Sequence, residues 1–113
     1  MFKIEYSLEF DDCFDIDDLD PSIQAEVNEK LERGDLSVMV AKVVFKYQGL
    51  VVGTSFLGGN FISSPNDVAE LRDSIMLVGG ENHDIYLDAK EDAMVLLRLL
   101  YNGLSDLKKK GKI

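Results

Sequence analysis

Residues 2–10 read FKIEYSLEF, with Phe2, Ile4, Tyr6, Leu8 and Phe10 alternating with Lys3, Glu5, Ser7 and Glu9. A period of two predicts a strand with one buried and one wet face. The alternation stops at residues 11–20, DDCFDIDDLD, which hold six aspartates in ten positions. Aspartate favours neither helix nor strand, so a loop or irregular extended segment is expected there. Asp20 and Pro21 then supply an N-cap and a first helical residue. Ile23, Val27 and Leu31 form an i, i+4, i+8 stripe up to Arg33, and Gly34 suits the left-handed residue after a helix.

Residues 36–57 predict a β-hairpin about Tyr47-Gln48-Gly49-Leu50, with Gly49 able to adopt positive φ. An uninterrupted two-residue hairpin pairs Tyr47 with Leu50, Phe45 with Val52, Val43 with Thr54 and Ala41 with Phe56 on one nearly apolar face. The other face carries Lys46 and Lys42, opposite Val51 and Ser55. Gly58-Gly59 is expected to break the strand. Ser64-Pro65 opens a second helix running to about Met76, with Val68, Leu71 and Ile75 inward. Gly79-Gly80 closes that region, and His83 to Leu87 reads as a short strand.

The last helix is expected from Asp88, with Glu91 completing a capping-box-like pair. Ala93, Leu96, Leu97, Leu100, Leu104 and Leu107 form one apolar face, widened by Met94, Val95, Leu99 and Tyr101. A helix this apolar is either central to the core or shared with a second subunit. Lys108, Lys109 and Lys110 complement its C-terminal dipole.

The resulting order is β-α-β-β-α-(β)-α, an α+β class with an antiparallel sheet and helices on one face. It matches a split βαβ, or ferredoxin-like, order with an added C-terminal helix. An antiparallel meander with packed helices is the alternative. At 113 residues the chain is the size of one domain, so residues 1–113 are read as a single α+β domain with an acidic loop at 11–20.

Charge changes this picture. The formal net charge is −9 and the pI about 4.4, which argues against direct nucleic-acid binding and docking on anionic lipid. Residues 1–35 carry twelve acidic and three basic side chains, and the rest of the chain nine of each. The whole imbalance therefore lies in the first third, at Asp11, Asp12, Asp15, Asp17, Asp18 and Asp20, with Glu9 and other glutamates around them. Mutual repulsion among them is relieved by solvent, a metal ion or a basic partner. A calcium loop starting at Asp18 fails, because Ile23 stands where the sharp turn needs glycine and Pro21 sits inside it. One starting at Asp15 fails at Leu19, and no metal is expected. In an extended segment alternate side chains lie about 6.8 Å apart, so carboxylates can form a row loosely like a nucleic-acid strand. Such a row would steer a basic protein toward it. Against this stands the plainer reading, a solvated acidic loop.

No catalytic site is expected. His83 and Asp84 are neighbours whose side chains diverge on a strand. Cys13 lies among aspartates, which suppress its thiolate. There is no G-x-S-x-G, Walker A or H-E-x-x-H motif, and no cofactor is implied. The single cysteine excludes an intrachain disulfide. With no basic-then-apolar leader pattern and no membrane-length apolar run, a cytoplasmic protein is expected.

The leading expectation is therefore a small binding or inhibitory protein. It would occlude a basic, nucleic-acid-handling partner such as a nuclease, in the manner of an immunity protein or a phage anti-defence protein imitating nucleic acid. Its contact residues would be Glu9, Asp11, Asp12, Asp15, Asp17, Asp18 and Asp20. The alternative is a homodimeric assembly module, paired through the C-terminal helix or the sheet, in which the acidic loop only gives solubility.

Overall fold

In the computed structural model, which describes residues 2–111, three strands form one antiparallel sheet and three helices accompany it. The strands are β1 (Lys3–Phe10), β2 (Ser37–Tyr47) and β3 (Leu50–Ile62). The helices are α1 (Pro21–Glu32), α2 (Pro65–Met76) and α3 (His83–Lys109), and one turn of 3₁₀ helix covers Ile16–Asp18. Strand order is β1-β2-β3, each pairing with the next. β1 pairs with β2 from Lys3 opposite Lys46 to Phe10 opposite Met39. This consecutive order is that of a meander. The crossover pairing of a split βαβ unit is not found among the described residues.

The expected strand at His83 to Leu87 is instead the start of α3. Tyr86, Ala89, Ala93 and Leu97 continue a helical stripe in steps of three and four. Packing that stripe on the sheet outweighs the strand propensity of five residues. Asp88 and Glu91 thus lie inside the helix and cap nothing. Asn82 occupies the N-cap position and makes no side-chain capping bond. At α2 the expected cap is present: Ser64 and Asp67 form a reciprocal capping box. Hydrogen bonds from Ser63, then Ser64, hold the Asp67 carboxyl below its ordinary pKa.

The hairpin turn has φ of 51° at Gln48 and 83° at Gly49, the positive pair that matches strand twist. Tyr47 pairs with Leu50 and Lys46 with Val51, but then the register slips: Phe45 faces Gly53, Val43 faces Ser55 and Ala41 faces Leu57. Lys42 consequently lies opposite Phe56 rather than Ser55. The cause is a bulge at Val52, an extra residue on β3. A second irregularity lies between Met39 and Ala41, where β3 carries Gly58-Gly59 with Gly59 at φ 70°. These glycines bend the strand, and it continues to Ile62.

The first bulge brings Gly53 under α3. A Cβ there would run into the Ala89 carbonyl oxygen and lie 2.9 Å from the Ala93 nitrogen. Around this contact Ala41, Val43, Phe45, Val52, Ile75, Ala89 and Ala93 form the buried core. Phe45 sits edge-on to Phe2 at 5.5 Å and to Tyr86 at 5.3 Å. His83 stacks on Tyr86 at 4.9 Å, and its Nδ1 donates to the Ile75 carbonyl at 2.7 Å, tying α2 to α3.

Tyr6 packs against this core, with its hydroxyl buried and without a hydrogen-bond partner. Burial raises its pKa above the ordinary tyrosine value. The unfolded chain therefore loses this proton first, and stability falls as the pH rises above about 10. Tyr6→Phe is expected to leave stability at neutral pH unchanged within about 1 kcal/mol, and to flatten the alkaline loss in urea melts. An equally steep alkaline loss in the variant would contradict this.

α3 has 27 residues, about 40 Å of helix, but no residue of α3 beyond Leu97 packs against the core. The molecule measures 66 × 26 × 22 Å with a radius of gyration of 19.1 Å, against about 13 Å for a compact chain of this length.

Candidate interaction surfaces

The acidic segment is built from three local turns. Asp11 Oδ1 accepts from the Cys13 amide at 3.1 Å, Asp15 from Asp17 at 2.9 Å and Asp20 from Ser22 at 3.0 Å. Each is an aspartate bonding the backbone two residues on, which fixes a turn. Asp15 caps the 3₁₀ turn and Asp20 caps α1. The bonds from Ser22 keep the Asp20 carboxyl below its usual pKa. Asp11 also reaches across to the second bulge, accepting from the Gly59 amide at 2.7 Å. Half of the six aspartates therefore serve backbone donors. Asp12, Asp17 and Asp18 accept no side-chain hydrogen bond among the described residues. The signal for these turns was local, an aspartate two residues ahead of each backbone donor, and net charge concealed it.

Phe14, Ile16 and Leu19, interleaved with the aspartates, are half-buried. Phe14 lies edge-on to Phe61 at 5.6 Å, and the Leu19 carbonyl accepts from Gln24 Nε2 at 2.9 Å. They anchor the segment to its own chain. Val38 and Phe61 are opposed in the ladder and, by alternation from Phe45, point away from α3. The acidic segment thus covers one end of the sheet face opposite α3, so not everything outside the sheet packs on a single face.

Beside it runs an open groove lined in part by Glu9, Phe10, Asp12, Asp18, Val40 and Phe56. Phe10 is 71% and Phe56 57% exposed, and Lys42 lies over the Phe56 ring at 5.6 Å. Further along that face Glu5 sits between Lys46 at 3.1 Å and Lys3 at 3.5 Å. The Lys46 bond, with both lysine charges, lowers the Glu5 pKa. That cluster carries two lysines on one glutamate, so this end of the face is weakly basic where the other end, at residues 9–18, is acidic.

Among the described residues, no group of three His, Cys, Asp or Glu side chains could hold a metal ion. Cys13 is exposed and unpaired and lines the acidic groove. His83 is committed to Ile75 and Tyr86 on the opposite sheet face, so the two do not meet. No helix of the described residues is long and apolar enough to cross a membrane.

The other unusual surface is the free half of α3. From the fully buried Ala93 the stripe runs on through Leu97, Leu100, Leu104 and Leu107 in steps of 4, 3, 4 and 3. That spacing is the heptad seam of paired helices. Leu100 is 52%, Leu104 59% and Tyr101 72% exposed. The accessible surface is 7977 Å², whereas a compact monomer of this mass exposes about 6,200 Å². Set beside known proteins, the chain matches no family model, and no curated protein or solved structure shows a significant likeness to it.

Proposed function

We propose that this protein is a non-catalytic assembly module that acts as a homodimer through the free half of α3. The observation that carries this reading is the exposed leucine seam at heptad spacing, for which the chain's own sheet supplies no cover. Pairing through the sheet is less favoured, because the edge strand β1 carries Lys3, Glu5 and Glu9 and the other edge strand, β3, is interrupted by two bulges, and edge charges and bulges both deter strand addition. In this reading the capping aspartates order residues 11–20 and the remainder give solubility. A reducing cytoplasm suits a chain whose one cysteine is exposed. Sedimentation equilibrium tests the reading: a dimer stable to dilution is expected, and a monomer at every concentration would overturn it.

A second reading is supported by the groove at Phe10 and Phe56. Aromatic anchors ringed by Glu9, Asp12 and Asp18 suit a basic partner, for example a nuclease whose cleft would be occluded without turnover. The discriminating variant changes only Asp12, Asp17 and Asp18 to asparagine, sparing Asp11, Asp15 and Asp20, which hold backbone donors. Binding to basic nucleases at low ionic strength should weaken at least about ten-fold. Equal binding by variant and wild type would remove this reading.

A further inference from the structure

We infer that the second copy docks antiparallel, with residues 95–109 of each α3 side by side. This rests on the assembly reading above and adds its geometry. In an antiparallel pair centred near Asn102, Leu97 meets Leu107 of the second copy and Leu100 meets its Leu104. The two-fold axis repeats both contacts, giving four leucine layers over about 15 Å of helix. Leu97, half-buried against its own core, closes the seam at each end, while Leu100, Leu104 and Leu107 lie beyond the sheet and are free to meet the second copy.

Charge decides the direction. Asp92 and Lys110 are eighteen positions apart, five full turns, and so lie on the same flank of the seam. A parallel pair would put this flank of the two copies on opposite sides of the dimer and about 27 Å of helix between Asp92 of one copy and Lys110 of the other, so the opposite charges would not meet. An antiparallel pair places each Lys110 near the Asp92 of the other copy, and opposes the two helix dipoles. The seam is part of a chain whose exposed surface exceeds that of a compact monomer by roughly 1,800 Å², and Leu96, Leu99, Leu100, Tyr101 and Leu104 are among its exposed large apolar side chains. The mid-helix Gly103 lies on the same flank as Asp92 and Lys110 and has nothing within 4 Å of a Cβ. There it leaves room for the two backbones to approach.

The test uses Met94 and Lys108, two heptads apart on the opposite flank, in the full chain with Cys13→Ser. Proteins carrying Met94→Cys and Lys108→Cys are mixed, allowed to exchange and treated with a short bismaleimide, beside sedimentation of the same samples. In the antiparallel pair residue 94 of one copy adjoins residue 108 of the other, while like positions are at least about 18 Å apart along the axis. The mixed crosslink should exceed either like crosslink by at least about ten-fold. A dimer giving mainly like crosslinks would overturn the antiparallel arrangement and leave the assembly reading standing. A dimer giving no crosslink would place the interface elsewhere and overturn the inference. A monomer would overturn both.

Discussion

Changing Leu100 and Leu104 together to aspartate is expected to turn a dimer into a monomer while the sheet core stays folded. Both leucines are more than half exposed in the single chain, so neither is needed to fill its own core. In the pair each leucine is covered, and burying one contributes about 1.5–3 kcal/mol. Symmetry doubles the loss, because four leucines disappear for every dimer, and four carboxylates take their place in an apolar seam. The dissociation constant should rise by a factor on the order of ten thousand or more. Sedimentation equilibrium checks this. Circular dichroism supplies a second readout: about fifteen residues of helix without tertiary contacts are marginal in water, so the variant should lose helical signal from the free half of α3. Strand signal and the urea midpoint of the core should be kept. A variant that remains dimeric would show that the seam is not the interface.

Gly53→Val is expected to be the most destabilising single change in the core. Its Cβ would collide with the Ala89 carbonyl oxygen and lie 3.0 Å from the Ala93 Cβ. These are backbone and buried helix atoms, so the strain cannot be relieved by turning a flexible side chain. α3 would have to lift from β3, loosening Ala89, Ala93 and the packing around Phe45. Overpacking of this kind costs about 3 kcal/mol or more, a large share of the stability of a small domain. Urea denaturation should show a much lower midpoint for Gly53→Val. Equal midpoints for Gly53→Val and the wild type would mean that α3 does not rest on β3 at this glycine.

Much of the local structure was legible. The alternation in residues 2–10, the Asp20-Pro21 and Ser64-Pro65 starts and the Gln48-Gly49 turn each have a short-range cause, and each element lies where its cause predicts. The hairpin pairing beyond Lys46 was not legible. An alternating strand keeps the same apolar pattern with or without one extra residue, and only the close fit of Gly53 under α3 shows why Val52 bulges. The segment His83 to Leu87 was misread because five residues carry too little periodicity to tell strand from helix. Its identity depends on continuity with Ala89 and Ala93, which the sheet rewards by burying them. The aspartate run was legible as charge but not as turns. The Asp11 bond to Gly59 joins positions 48 apart, and no local pattern announces it.

The sequence by itself determined most of the elements, the acidic bias of the first 35 residues and the leucine stripe of the last helix. These follow from hydrophobic period, capping chemistry and counted charge, all of which act over a few neighbours. Only the tertiary structure decided how the stripe and the charge are used. Burial depends on where the sheet ends, so Ala89 and Ala93 became core while Leu100, Leu104 and Leu107, on the same face, were left in solvent. In the same way, three aspartates were drawn into holding the backbone and three were left free, because the turn geometry and the bulge at Gly59 presented donors to some carboxylates and not to others.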